Sequence, residues 1–284
     1  MNKSIRTMAV FCMLLFVALL LNTTYVQYVD AGDLNNRDDN RRVRDAEFSR
    51  KRGAIVAGGD SIAESVPSRD QYKFQRTYKQ PFRYAHLTGF YSYIYGRDAV
   101  ELTENEILSG SDPRLFVNRV VDMVGNTQPK GGSVSLTVQP DAQSAAFDGL
   151  RALGSGIRGA VVALDPDTGA ILANASTPSY DPNRLASHDF GAVQEARERL
   201  VANEAGPLVN RGISTTLPPG STFKLVTAAA AIESGQYQPE SLVPGGSSLD
   251  LPQTDQDLPN SGGASCGGEQ ITMTQAMMVS CNVA

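Results

Sequence analysis

"PPGSTFKLVTAAAAIESG", residues 218–235, runs from a Pro-Pro-Gly turn straight into an alanine-rich apolar stretch. The pattern predicts a helix over 222–233, with Gly235 just past its end as a stop. Four alanines at 228–231 let such a helix pack closely on all sides, so it is expected to be buried. Ser221 falls at or beside the N-cap, and a capping role alone would account for it. Capping does not account for Lys224, because a cation in the first helical turn opposes the helix dipole. Residues three apart share a helix face, which sets the ammonium against the Ser221 hydroxyl. A buried lysine loses its charge more readily and can take a proton from the serine. The helix N-terminus then favours a developing oxyanion. This is a serine nucleophile activated without histidine.

Ser-x-x-Lys is a weak signal by itself. A second one lies in "TMTQAMMVSCNVA", residues 272–284, where Ser280-Cys281-Asn282 directly follows an apolar helical pattern. On a helix, residues i and i+2 do not face each other, but in an extended or turn conformation they do. Ser280 and Asn282 can therefore aim a hydroxyl and an amide at one point. The plainer reading is a helix C-terminus with ordinary polar residues.

Upstream, "GAVVALDPDTGAILANAS" (159–176) predicts a hairpin of two buried strands around 161–164 and 170–175, with turn chemistry at Asp165-Pro166-Asp167-Thr168-Gly169. An amphipathic helix from near Pro140 precedes it, and a polar helical segment (183–206) follows. A helix on an antiparallel sheet is the start of an α+β domain. Residues 53–135 read as a mixed, glycine-punctuated region. There "FRYAHLTGFYSYIYG" (82–96) looks like strand and loop, "RDAVELTENEILSG" (97–110) like a short helix, and "GGSVSLTVQP" (131–140) like a strand. Leu115, Phe116, Val120, Val121 and Val124 stand near helical spacing. His86 has no Cys, Asp or second His at metal-ligand spacing and reads as structural.

The N-terminus bears on the compartment. Lys3 and Arg6 precede fourteen apolar residues at 8–21, and no charge occurs over 7–29. As a helix those 23 residues reach roughly 34 Å, enough to cross a bilayer. Tyr25 and Tyr28 fit an interfacial belt, and the positive flank places the remainder outside the cytoplasm. A cleaved signal peptide is the rival, but Val29-Asp30-Ala31 lies far beyond the apolar core for a cleavage site. The mixed-charge stretch 30–52 reads as a solvated juxtamembrane helix or linker. The chain of 284 residues is 41% hydrophobic and 19% charged, which supports about two domains with a sizeable core. Its net charge of −5 argues against a nucleic-acid partner. Of three cysteines, Cys12 lies in the apolar segment. Cys266 and Cys281, fifteen residues apart on the oxidising side, either form a disulfide or are separate buried thiols, and the disulfide is the expectation. Closing that loop is worth roughly 3 kcal/mol on the chain-entropy model.

Ser221-x-x-Lys224 followed by Ser280-x-Asn282 resembles the serine penicillin-recognising enzymes. "NRGISTTLPPGSTFK" (210–224) resembles the approach to the nucleophile in class B penicillin-binding proteins, "GAVVALDPDTGAILANASTPSYDPN" (159–183) their preceding hairpin, and "RGAIVA" (52–57) their N-terminal Arg-Gly-x-Ile element. Gly96 and Glu101 sit where that family has Gly-x-x-x-x-Glu in its non-catalytic domain. The chain looks most like the actinobacterial penicillin-binding protein A type. Leu225 stands where many relatives have proline, and Gln139 where many have aspartate. The family's third motif, Lys-Thr/Ser-Gly, does not occur before Ala284. The chain is therefore expected to be incomplete at its C-terminus and inactive by itself.

The resemblance implies an α+β fold in three parts. These are a cytoplasmic stub and anchor (1–29), a linker with a non-catalytic domain for dimerisation or as a pedestal (30–140), and a transpeptidase domain (141–284). It implies D,D-transpeptidation in peptidoglycan synthesis on a single-pass membrane protein, with no metal or organic cofactor. Ser221 would be the nucleophile, Lys224 the general base, Ser280 a proton relay, and Asn282 the holder of the substrate amide and of Lys224. The implied partners are stem peptides, β-lactams, the membrane and other wall-synthesis or division proteins. A β-lactamase, carboxypeptidase or β-lactam sensor of the same fold, or a non-catalytic interaction protein, are the alternatives.

Overall fold

The computed structural model describes residues 2–35, 40–115, 125 and 130–284. It has the mixed α and β composition of an α+β protein and divides into two compact units, Met1–Thr215 and Thr216–Ala284. The first begins with the uninterrupted helix Asn2–Tyr28, whose described side chains are exposed. Its segment Lys3–Tyr28 is long and apolar enough to cross a membrane.

Residues 41–52 are less solvated than their charge suggests. The helix Arg41–Phe48 buries Phe48 against Tyr72 and Tyr91. Tyr93 donates its hydroxyl to Asp45, and Arg97 pairs with Glu47. With Asp45, Glu47 and Arg52 all partnered, this stretch is fastened to the domain rather than merely hydrated.

A four-stranded sheet organises the rest of the region, in the order Phe74–Tyr78, Asp60–Pro67, Ile55–Ala57, Val134–Leu136. The last pair is parallel, with Ile55 opposite Val134. Gly58 and Gly59, both at positive φ, form the two-residue hairpin turn that brings Ala57 opposite Asp60. The core gathers Ile55, Ala57, Ile62, Ala63, Tyr78, Tyr84 and Leu108. Gly53 has no room for a side chain, since a Cβ there would lie 1.8 Å from the Gly132 carbonyl oxygen. That close approach lets Gly53 donate its N–H to Leu108 while Val134 donates to Ala54.

At the centre lies Glu101, fully buried on the helix Ala99–Thr103. It accepts from Arg52 Nε at 2.6 Å, from Arg76 Nε at 2.6 Å and from the Tyr78 hydroxyl at 3.0 Å. Arg52 also donates to the Glu101 carbonyl and to Asn105, and Arg76 to the Gly53 carbonyl. Burial is the largest single influence on Arg52 and opposes its charge, but Glu101, Tyr91 and Glu47 together outweigh it and the pKa rises above the usual arginine value.

Two sequence expectations change here. Residues 82–88 are not strand and loop but part of the helix Pro81–Thr88, with Pro81 in its first turn and Gly89 at positive φ closing it. The alternating aromatic and small residues wrap a helix because Tyr84, Ala85, Leu87 and Thr88 all find cover. Leu115 belongs to a 3-10 turn, Pro113–Leu115, while Phe116, Val120, Val121 and Val124 lie outside the described residues. His86 is structural, with Nε2 on the Pro207 carbonyl at 2.9 Å.

Helix Pro140–Ala152 packs on the hairpin Gly159–Leu164 and Ile171–Thr177 through Phe147, Leu150 and Ala175. The first strand is half-covered rather than buried, with Val161, Val162 and Leu164 exposed; the second is buried from Ala173 onward. At the turn, Asp165 accepts from the backbone N–H groups of Asp167 and Thr168, and Gly169 takes φ 72°.

Removing the Glu101 carboxylate would leave two guanidiniums buried without their common partner. Glu101→Ala is expected to cost about 3–5 kcal/mol of unfolding free energy. Urea denaturation followed by circular dichroism measures it, and a loss below about 1 kcal/mol would show that the ion cluster does not hold the domain.

Candidate active site

All four sequence-predicted site residues lie in the second unit. Pro218-Pro219-Gly220, with Gly220 at φ 55°, leads into a 3-10 turn, Gly220–Phe223, and then the α-helix Lys224–Glu233. Ser221 is inside the turn rather than at the cap of the α-helix. The helix ends as read, with the Gly235 N–H on the Ile232 carbonyl and Gly235 at φ 74°. Its expected burial is not observed. None of its ten residues is buried, and Leu225 and Val226 are exposed. Lys224 is half-buried and Ser221 exposed.

The Lys224 backbone N–H donates to the carbonyls of Ser221 and Thr222, which fixes the serine one turn ahead of the lysine. Its ammonium is held by the later segment. Nζ donates to the Ser280 carbonyl at 2.7 Å, to Ser280 Oγ at 3.1 Å and to Asn282 Oδ1 at 2.6 Å. Three acceptors thus surround the one cation. Among the described residues the Ser221 hydroxyl has no hydrogen-bond partner.

These acceptors are delivered by the end of the helix Met273–Met278. The helix closes in a Schellman arrangement, with the Cys281 N–H on the Ala276 carbonyl and the Ser280 N–H on that of Met277. The left-handed position, usually glycine, is taken by Ser280 at φ 55°. Beyond it the chain alternates: Cys281 and Val283 are buried in a cluster with Val243, Ile271 and Ala276, and Ser280 and Asn282 face outward. Cys266 and Cys281 are joined by a disulfide with Cα atoms 5.8 Å apart. Sequence reasoning missed two neighbours. The Pro259 carbonyl accepts from Asn282 Nδ2 at 3.0 Å, and Asn260 Oδ1 accepts from the Asn282 backbone N–H at 2.9 Å. The signal was present in "LPNSGG" (258–263), an asparagine ahead of a glycine turn.

An exposed serine, a lysine one turn on, and a serine and an asparagine ligating that lysine form an acyl-transfer constellation. Residues 52–134 match the penicillin-binding protein A dimerisation domain, and residues 159–284 match the penicillin-binding protein transpeptidase domain. The chain belongs to the penicillin-binding proteins. Its whole length aligns with peptidoglycan D,D-transpeptidase PbpA of Mycolicibacterium smegmatis at 44% identity, and with that of Mycobacterium tuberculosis at 46%. In both cases it spans 58% of the relative's length. It is also similar to a structure of penicillin-binding protein A from M. tuberculosis in a ceftriaxone acyl-enzyme complex. That match has a TM-score of 0.79 at 44% identity and covers 84% of this chain and 54% of the other.

A left-handed serine strains the backbone by about 1–2 kcal/mol. Ser280→Gly removes that strain but adds roughly 0.5–1 kcal/mol of unfolded-chain freedom, so stability should change by less than about 1 kcal/mol. Ser280→Val, β-branched at the same φ, should lose more than that. Urea midpoints of the two variants check this, and equal losses would show that φ at residue 280 does not matter.

Proposed function

We propose that the protein is a peptidoglycan D,D-transpeptidase working through an acyl-serine intermediate, as the names of its relatives suggest. The observation that carries this reading is the hold of Ser280 and Asn282 on Lys224, one turn after an exposed Ser221. Ser221 Oγ attacks the carbonyl carbon of the penultimate D-Ala in a stem peptide, and Lys224 takes its proton. The tetrahedral oxyanion is met by the Ser221 N–H at the start of the helical segment. Lys224 returns that proton through Ser280 to the departing D-Ala nitrogen as the peptide bond breaks. The amine of a neighbouring stem then attacks the ester, and Ser221 is released. Asn282 orients Lys224 through Oδ1 and holds the substrate amide. A β-lactam offers the same carbonyl and acylates the same serine.

In this reading the helix Asn2–Tyr28 is a single-pass anchor and the catalytic part is extracytoplasmic. Residues 1–29 then form the stub and anchor, 30–140 the linker and non-catalytic domain, and 141–284 the transpeptidase part. Other wall-synthesis or division proteins would meet the non-catalytic domain. Slow deacylation of bound penicillin separates a transpeptidase from a β-lactamase of the same fold.

The test is labelling of the full-length protein by a fluorescent penicillin. Ser221→Ala should abolish the label. Lys224→Ala should slow acylation on the order of 10²–10⁴-fold while leaving the melting transition in place. Label that persists in Ser221→Ala overturns the assignment.

A further inference from the structure

We infer that Asn260 is a positioning residue for Asn282, and through it for the Lys224 ammonium. The inference rests on the reading above that Lys224 and Asn282 serve acyl transfer. Asn260 ends the strand Asp257–Pro259, which pairs with Ser248–Asp250. It is only 8% exposed, and its side-chain amide is fully used. Nδ2 donates to the Gly246 carbonyl at 2.8 Å and to the Ala264 carbonyl at 2.9 Å. Those two bonds leave Oδ1 as the atom that points at residue 282, where it accepts the backbone N–H at 2.9 Å.

The consequence reaches the lysine in two steps. With its backbone N–H on Asn260, Asn282 can place its own Nδ2 on the Pro259 carbonyl at 3.0 Å. A carboxamide whose nitrogen is held by a carbonyl has one way to face, with Oδ1 opposite. That oxygen accepts from Lys224 Nζ at 2.6 Å. If Asn282 flipped, an NH₂ group would face the ammonium and the bond would be replaced by repulsion. Residues 259 and 260 thus decide which atom of Asn282 the lysine meets. The disulfide at Cys281 fixes the chain one residue earlier but leaves the amide of Asn282 free to rotate. Asn260 touches neither Ser221 nor Lys224 through any described hydrogen bond, so it acts only by orienting its neighbour.

The experiment is a double-mutant cycle read by the reactivity of the Lys224 amine. The chain is treated with trace acetic anhydride, and acetylation at Lys224 is quantified by mass spectrometry against the same lysine in denatured protein. Asn282→Ala should raise Lys224 acetylation on the order of tenfold, the loss of one hydrogen bond to a charged group. Asn260→Ala should raise it several-fold toward that level, and the double variant should match Asn282→Ala alone. Wild-type reactivity in Asn260→Ala, or effects that multiply in the double variant, overturns the inference. Should Asn260→Ala not fold, Asn260→Gln carries the test, because it keeps the amide's donors and acceptor but moves the oxygen by a methylene from its place on the Asn282 N–H. A several-fold rise in Lys224 acetylation then supports the inference, and wild-type reactivity overturns it. Penicillin labelling of Ser221 in the full-length protein is the separate arm. If the wild type is unlabelled there, the functional reading fails while the acetylation cycle still decides the role of Asn260.

Discussion

The grip of Glu101 on Arg52 and Arg76 is the constraint on which the first unit depends. One carboxylate with no exposure binds two guanidiniums from segments 49 and 25 residues away. Placing such ions in a protein interior is costly, and their attraction offsets the cost only when the remaining donors are also satisfied. Here most of them are: Arg52 reaches Asn105 and the Glu101 carbonyl, and Arg76 reaches the Gly53 carbonyl. The Arg52 guanidinium also lies over the Tyr91 ring, 4.3 Å from its centroid. The cluster therefore fixes the start of the first strand, the last strand of the hairpin and a short helix in one arrangement.

The second unit meets a different problem. Its buried apolar cluster consists of Val243, Ile271, Ala276, Cys281 and Val283, all small or medium side chains. A core of that size cannot by itself order long loops, and small units are usually stapled. The disulfide and the buried Asn260 amide act as the staples. Asn260 gathers the carbonyls of residues 246 and 264 and the N–H of residue 282, and the disulfide ties residue 266 to residue 281. Both converge on the segment that carries Ser280 and Asn282.

Much of this was legible in the sequence wherever a local rule sufficed. The Ser221–Lys224 spacing, the Gly235 stop, the turn at Asp165–Gly169 and the turned Ser-x-Asn after a helix each follow from the backbone preference of a few adjacent residues. Gly58-Gly59 was equally local and was passed over, although adjacent glycines between apolar runs are a hairpin signal. What could not be read was long-range. Residues 82–88 carry an aromatic alternation that suits a strand, and only the cover available to Tyr84 and Leu87 makes it a helix. Asp45, Glu47 and Arg52 looked solvated because their partners, Tyr93, Arg97 and Glu101, stand some 50 residues later. The glycine turn behind Asn260 is legible in "LPNSGG", but its bond to residue 282, 22 positions later, is not.

The same separation explains how the site is assembled. Lys224 and Ser221 are local to each other, so their relative placement is set as soon as one helical turn forms. The acceptors that orient the ammonium arrive 56 and 58 residues later, on a backbone held at positive φ by Ser280. A serine at that position costs energy that a glycine would not, and the fold carries the cost because glycine has no hydroxyl to offer Nζ. The lysine is therefore left unoriented by its own helix and oriented by a loop whose geometry depends on the disulfide and on Asn260. Precision in this site is a property of the later segment. A change that loosens residues 259–266 should disturb the lysine before it disturbs the helix on which the lysine stands.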